Sequence, residues 1–435
     1  MPVPTRRLAL LFVLSAIALA LSTSPQPETW IVVVSVLVGL SIADLVLAVS
    51  PRAIEVRRDV PAVITLGAPA TIKWSLRNPT LRPAVVMFAD ELAPSLGAPA
   101  RRVRIRMHRR STTTVGLDLR PTRRGEFLVD EIAMRVEGPL GLVARQRTRH
   151  VPMSIRVFPS FRSREEAELR INKARILETG LRSAKGLGGG TEFDQLREYT
   201  VDDDFRRVDW AATARTGRAI VRTYRAERNQ TVINLLDNGR VMAGTVDGVA
   251  RIEHAMDAVM TLTTVATRLG DRCGLVAFDQ EVRSVVTASK SRSQFGRVVE
   301  AMFDLEPVFA ESDYRGAFNE TLVRFRRRAM LVIYTELVEQ AVGESLLPAL
   351  GLIARNHVVV IAAVQDPAVV LWAHGDASTD EDVYRKVAAI GALEERRRTV
   401  VRLQRLGATV IDAPPRALPM QLADAYLRVK ATGRL

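Results

Sequence analysis

Four aspartates, Asp202, Asp203, Asp204 and Asp209, stand within residues 202–209, and Arg206, Arg207 and Arg215 are interleaved with them or follow closely. Grouped carboxylates offer hard oxygen ligands for Mg²⁺, and a neighbouring guanidinium would stabilise charge developing on a transferred phosphoryl group. One reading is therefore a Mg-dependent phosphoryl-transfer enzyme using this carboxylate cluster. The arginines are also close enough in sequence to neutralise the aspartates, which favours a self-satisfied segment that clamps two domains together or docks a partner. Over residues 192–228 eight acidic residues balance eight arginines, so the segment is no simple phosphate-binding patch. An interdomain or partner-binding role is assigned to Tyr199, Asp202, Asp203, Asp204, Arg206, Arg207, Asp209, Trp210 and Arg215, and this surface is preferred to an active site.

Other chemistry is sparse. The five histidines, His108, His150, His254, His357 and His374, are scattered, with no HExxH pair and no obvious nucleophile–base partner. No catalytic residue is assigned, and the chain is expected to be non-enzymatic. Cys273 is the sole cysteine, which excludes a disulfide framework and a CxxC metal site and fits a reducing compartment. Gly186, Gly188, Gly189 and Gly190 follow Lys185 without the GK[ST] of a Walker loop, so they read as a hinge.

These residues sit in a chain of 435 residues, 47% hydrophobic and 25% charged, which suits two soluble domains plus an apolar start. The formal charge of +14 rests on 62 basic residues, only six of them lysine. Aromatics at 5% and the lack of a groove-reading motif argue against a nucleic-acid partner. Residues 101–150 carry thirteen arginines against five acids. Near a bilayer, each would contribute about 1 kcal/mol of attraction to anionic headgroups.

Residues 8–21 are apolar apart from Ser15, and residues 30–49 supply a second apolar run long enough to span a bilayer. Arg6 and Arg7 before the first run, and Arg52, Arg57 and Arg58 after the second, place both flanks in the cytoplasm. The expectation is a multi-pass cell-membrane protein whose soluble domains face the cytoplasm, with the lipid bilayer as one partner. Ala18-Leu19-Ala20 also resembles a signal-peptide cleavage site, and that alternative leaves the bulk of the chain on the same side. Asp44, near the end of the second run, is expected to snorkel to the interface.

Residues 51–158 alternate in short runs, such as 70–76, 103–107, 114–119 and 132–136, separated by Asn78-Pro79, Arg124-Gly125 and Gly138-Pro139, the pattern of an all-β sandwich serving as scaffold. Residues 159–228 form a charged linking segment. From residue 229 onward strands near 232–236, 274–278, 329–334, 358–364 and 409–411 alternate with helices near 251–269, 295–303, 314–327, 343–355, 382–406 and 418–429, which predicts a parallel, doubly wound α/β sheet of Rossmann type. Ligands of such sheets lie at the carboxyl ends of the strands. The fold class is thus membrane-anchored and multidomain: a two-helix anchor over 1–50, the β-sandwich over 51–158, the linking segment and the α/β domain.

Residues 192–215, EFDQLREYTVDDDFRRVDWAATAR, together with Arg124-Gly125, Gly138-Pro139-Leu140-Gly141-Leu142 and Val157-Phe158-Pro159, resemble the domain of unknown function 58 family of bacterial membrane-anchored proteins. The resemblance implies a von Willebrand factor A-like domain at the C-terminus. Such domains often hold Mg²⁺ through a DxSxS motif, a later Thr and a further Asp. Here the motif reads Asp237-Asn238-Gly239-Arg240-Val241, Ser312 falls at the Thr position and Glu336 at the last. A degenerate metal site of Asp237, Ser312 and Glu336 is therefore implied, with Mg²⁺ doubtful and no other cofactor expected. The resemblance also implies work as an adaptor with a AAA+ ATPase of the MoxR type in assembling or maturing envelope proteins.

Overall fold

The computed structural model describes all residues except 22–26, 101, 185–191, 202, 226–229 and 433–435. The chain divides into two compact units, Met1–Phe158 and Pro159–Leu435. Lys185, the glycines of the expected hinge and Asp202 lie outside the described residues.

The first unit opens with a short strand β1 (Pro2–Pro4) and two helices, α1 (Arg6–Ala20) and α2 (Pro27–Leu47). Strands β2 (Glu55–Asp59), β3 (Ile64–Thr65), β4 (Ala70–Asn78), β5 (Ala84–Asp90), β6 (Arg102–Met107), β7 (Ser111–Leu119), β8 (Gly125–Glu137) and β9 (Val143–Phe158) follow. One sheet has the order β1-β9-β8-β5-β6 with β3 also paired to β9, and a second has the order β2-β4-β7. Alternation along β4 and β5 turns Ile72, Trp74 and Leu76 of one sheet and Val86 and Phe88 of the other into a single apolar core. A buried ion pair ties the two sheets. Arg58 on β2 binds both carboxylate oxygens of Asp90 on β5 and the carbonyls of Val129 and Val151, and the Trp74 indole N–H donates to Asp90 at 2.7 Å. Every polar atom of this cluster has a partner, the condition under which a buried pair is tolerated.

Among the described residues α2 contains the one stretch long and apolar enough to cross a membrane, Glu28–Leu47, with mean hydropathy 2.5. At about 1.5 Å per residue, the 15 residues of α1 span about 22 Å, short of a hydrocarbon core of about 30 Å. Asp44 does not snorkel. Its side chain is fully buried and its oxygens accept the backbone N–H groups of Leu140, Leu142 and Val143 at 2.7, 2.8 and 2.9 Å. The reason is geometric: the connection between β8 and β9 aims the amides of Leu140, Leu142 and Val143 at the end of α2, and satisfying these donors, two of them buried, outweighs a water-facing carboxylate. Gly138 carries no side chain where a Cβ would overlap the Asp44 carboxylate. Thr5 Oγ1 donates to the Gly141 and Leu142 carbonyls, β1 pairs with Val143, Ala144 and Arg145 of β9, and Leu8 packs with Leu142 and Val143. The helix pair is thereby joined to the β-unit at both of its ends.

The second unit begins with α3 (Arg164–Ala184), then a hairpin of β10 (Glu192–Glu198) and β11 (Ile220–Arg225) with α4 (Trp210–Thr216) inside its loop. It continues through β12 (Thr231–Asp237), the small ribbon β13 (Thr245–Val246) and β14 (Val249–Ala250), α5 (Arg251–Arg268), β15 (Arg272–Phe278), β16 (Val282–Ser289), α6 (Gln294–Met302) and α7 (Tyr314–Arg324). It closes with β17 (Met330–Tyr334), α8 (Glu339–Ala341), α9 (Leu347–Ala354), β18 (Val358–Val364), α10 (Pro367–His374), α11 (Asp380–Arg405), β19 (Thr409–Ala413) and α12 (Leu418–Thr432).

The large sheet has the order β16-β15-β12-β17-β18-β19. It is mixed: the β15–β16 edge is antiparallel and the other pairings are parallel, which corrects the expectation of an all-parallel sheet. Only three residues separate β15 from β16, and a connection that short allows only a hairpin. Both faces are covered: Val232 and Leu236 of β12 belong to one apolar core with α5 and α12, whereas Ile233 and Leu235 belong to the other with α7 and α9. Chain order reverses beside β12, between β15 and β17, so the topological switch point lies at its carboxyl end, where Asp237 stands.

Removing the Asp44 carboxylate would orphan two buried N–H donors, Leu142 and Val143, at about 1–3 kcal/mol each, and the half-buried one of Leu140. Asp44→Ala should therefore lower the stability of the first unit by about 3 kcal/mol or more. Differential scanning calorimetry of the detergent-solubilised protein would check this, and an unchanged first transition would refute the assigned role.

Candidate functional site

The run Val232, Ile233, Leu235 and Leu236 drives β12 through the middle of the sheet and delivers Asp237 to the switch point with no side-chain exposure to solvent. A buried carboxylate must be satisfied. Asp237 Oδ1 accepts the Ser312 hydroxyl and, at 2.8 Å, the Gly239 N–H, while Oδ2 accepts Tyr314 Oη at 2.7 Å and Thr335 Oγ1 at 2.6 Å. Tyr314 Oη and Thr335 Oγ1 are also 2.8 Å apart. Burial first, and then the Asp237 charge, hold the Tyr314 hydroxyl well above its ordinary pKa, so it stays a protonated donor.

Gly239 is required by this arrangement, since a Cβ there would overlap Ser312 Oγ and crowd the Ala310 carbonyl at 3.0 Å. The hydroxyl from Ser312 thus fills the space that a side chain of the DxSxS motif would need. Arg240 turns away to an exposed ion pair with Glu311 at 3.0 Å.

Glu336, two residues past the end of β17, belongs to a different cluster. Its carboxylate is paired with Arg396 of α11 and lies 2.8 Å from Arg251 Nε of α5. Arg396 also binds Asp412 through two contacts of 2.7 Å and the Val364 carbonyl at 3.2 Å. Two guanidiniums therefore occupy the carboxylate that the resemblance assigned to a cation.

The residues present do not fit Mg²⁺. Four protein donors saturate Asp237, the Ser312 hydroxyl is committed to it as one of them, and Glu336 faces arginines. Among the described residues no group of three or more His, Cys, Asp or Glu side chains has metal-binding geometry. The structure brings Asp237 and Ser312 together, as the motif implied, and assigns Glu336 to an ion-pair network. Tyr314, Thr335, Gly239 and Arg396 escaped the sequence reading, and only the Gly at a DxSxS serine position was a usable signal.

The charged segment folds on its own terms. Asp203 accepts from Arg197 and from the amide and hydroxyl of Thr200, the two Thr200 contacts being 2.9 Å. Burial pushes its carboxyl up, but those hydrogen bonds outweigh it and hold the pKa below the usual range. Asp204 caps the short turn Phe205–Arg207 through the Arg206 amide. Asp209 caps α4 through the Ala212 N–H at 3.0 Å and meets Arg222 at 2.7 Å, and Arg222 first, then that amide, lower its pKa. Glu198 pairs with Arg218 at 2.7 Å. The partners of these acids come from within the segment, so the pairs hold the hairpin itself. Tyr199 donates its backbone N–H to the Ala219 carbonyl. Phe205, Arg206, Trp210 and Arg215 are exposed, and Arg207 is half-buried.

Two expectations follow. Asp237→Ala leaves four donors without their acceptor and should lower the stability of the second unit by about 3 kcal/mol or more, whereas Gly239→Ser should do so by displacing Ser312. Chemical denaturation checks both, and a near-neutral Asp237→Ala would contradict the network. Because the Asp209 pKa is depressed in the folded state, the stability it confers is full above the unfolded value of about 3.9 and drains away as pH falls through the lower folded value. Asp209→Asn should therefore destabilise the hairpin at neutral pH and progressively less below about pH 4. Trp210 fluorescence during denaturation reads this out, and a pH-independent penalty would contradict it.

Comparison with known proteins places the chain. It is 28% identical over 186 residues to uncharacterized proteins of Mycobacterium bovis and Mycobacterium tuberculosis, an alignment covering 41% of this chain and 56% of theirs. The chain thus spans a little over half the length of these curated relatives. Among solved structures, the vWF domain of the type V pili tip protein Mfa5 from Porphyromonas gingivalis matches at TM-score 0.22 and 15% identity, covering 25% of this chain and 38% of that one. The ASH/PapD-like domain of human CEP192 matches at TM-score 0.20 and 10% identity, covering 25% and 87%. Residues 195–396 match the family described as Protein of unknown function DUF58, the family that the charged motif resembles.

Proposed function

We propose that this chain is a non-enzymatic, membrane-anchored interaction protein. In this reading α2 crosses the cell membrane and the shorter α1 crosses beside it where the bilayer thins to its length, giving a two-helix, multi-pass anchor, and the first unit is a β-sandwich spacer. The second unit, a von Willebrand A-like domain, faces the cytoplasm and works with a AAA+ ATPase of the MoxR type in envelope protein assembly or maturation.

One observation carries the reading: the carboxylates that metal-assisted or acid–base chemistry would need are already committed. Asp237 is saturated by hydroxyls and an amide, Glu336 is ion-paired with Arg396 and Arg251 with its Oε2 left without a hydrogen bond among the described residues, and Asp279, just after β15, accepts from Arg283 and Asn238. In the charged segment Asp203 and Asp209 are bound to Arg197 and Arg222. A strand-end surface rigidified in this way suits recognition better than turnover.

The membrane part draws support from α2, whose exposed side chains include Ile31, Val32, Val36, Ile42 and Val46. Pairing of β1 with β9, before α1, and continuation into β2, after α2, favour a helical hairpin with both ends on one face and α1 retained. Arg6, Arg7, Arg52 and Arg57 at those ends favour the cytoplasmic face, Arg58 being committed to Asp90.

Affinity capture of the full-length protein after mild detergent extraction tests the proposal. A AAA+ ATPase of the MoxR type should be retained, and Mg²⁺ should confer no phosphate-ester hydrolysis on the purified chain. Absence of any such ATPase together with Mg-dependent hydrolysis would overturn the reading in favour of a phosphoryl-transfer enzyme.

A further inference from the structure

We infer that the cavity where α2 gives way to the β-unit is a binding site for the phosphodiester headgroup of an anionic phospholipid. The inference rests on the membrane anchor proposed above and is independent of the ATPase partner.

The cavity measures about 470 Å³, a volume in the range of small-molecule sites. Its walls come from the start of β1, from the last turn of α2 with the residues that follow it, and from β9. Three of the lining residues are arginines: Arg52, just past α2, and Arg145 and Arg147 on β9. Arg145 and Arg147 are two positions apart on one strand, so they stand on the same face of it. Arg52 and Arg147 are exposed and Arg145 is half-buried. The Ser50 hydroxyl, also on the wall, accepts the Arg52 N–H at 3.3 Å and keeps its own proton to donate.

The positive charge of the cavity is not neutralised from within the fold. Among the described residues no ion pair holds Arg52, Arg145 or Arg147, and no acidic side chain lines the cavity. The acids of adjoining elements are committed elsewhere. Glu137, opposite Ala144 in the β8–β9 register, binds Arg104 through both oxygens, and Asp44 faces the amides of Leu140, Leu142 and Val143. Other arginines at this end of the helices have structural partners: Arg82 donates to the Leu47 carbonyl, Arg149 to the Ile54 carbonyl, and Arg58 binds Asp90.

The apolar part of the wall identifies the ligand. Leu45 lines the cavity and belongs to the last turn of the stretch Glu28–Leu47, with Val46 and Leu47 exposed beside it. In the anchored chain the cavity therefore straddles the boundary between hydrocarbon and headgroups. A guanidinium donates two parallel hydrogen bonds to phosphate oxygens, and basic pockets at the cytoplasmic end of membrane helices suit lipid headgroups. A phospholipid can place its phosphate among the arginines while its acyl chains lie along α2, whereas a free phosphate ester makes only the first of these contacts. Phosphatidylcholine brings a quaternary ammonium that three arginines repel, so the occupant is an anionic lipid.

Native mass spectrometry of the full-length protein, released from nanodiscs of equal parts phosphatidylcholine and phosphatidylglycerol, tests the assignment. Phosphatidylglycerol should be retained over phosphatidylcholine by at least about tenfold. R52Q/R145Q/R147Q should abolish that preference, and Arg147→Gln, at an exposed position, should lower it several-fold with an unchanged melting temperature. R102Q/R106Q/R109Q removes the same charge from exposed positions outside the cavity and should keep the preference. Equal retention of the two lipids would overturn the inference, and so would equal loss in the two triple variants, which would reduce it to general surface charge. Displacement of phosphatidylglycerol by glycerol phosphate at equal concentration would also overturn it, by assigning the cavity to a soluble phosphate ester. Release of the chain from vesicles by alkaline carbonate rejects the anchor and this site with it, whereas an anchored chain without lipid preference rejects the site alone.

Discussion

A carboxylate buried at the switch point of the large sheet sets the terms for everything around it. Asp237 reaches that position because β12 is apolar on both faces, and an ionised group there costs several kcal/mol unless it is fully paired. The protein meets the requirement with neutral donors drawn from its own loop, from the segment leading into α7, and from the residue after β17. Three strand-end segments are thus pinned to one atom group. Gly239 has no room for a side chain, Arg240 turns to Glu311, and Glu336 is left to bridge α5, α11 and β19 through arginines.

The same solution recurs elsewhere. Asp44 is satisfied by three amides, Asp90 by Arg58 and Trp74, Asp203 and Asp209 by an arginine and a backbone amide each. In the charged segment Asp203 and Asp209 therefore hold structure instead of offering ligands.

Much of the α/β unit was legible from residue order, because strands buried on both faces, such as Val358–Val364, read as continuous apolar runs. The edge strand Val282–Ser289 was not. Its half-exposed residues mix charge and apolar character, and only its hairpin to β15 defines it. That the aspartates are paired was legible, but not by which arginines: Asp203 and Asp209 bind Arg197 and Arg222 of the hairpin strands, not Arg206, Arg207 or Arg215. Apart from Ser312, which the motif implied, the partners of Asp237 and Glu336 were not legible, because Tyr314, Thr335 and Arg396 lie far away in sequence and meet them only through sheet order. Asp44 was misread for the same reason: the amides that hold it lie about a hundred residues later in the chain.

Calorimetric titration of Mg²⁺ into the metal-stripped, full-length protein measures most directly whether protein donors have taken the place of a cation at Asp237. A flat trace, identical for the wild type and Ser312→Ala, is the expected result. A saturable isotherm with one site per chain, weakened by Ser312→Ala, would contradict the account.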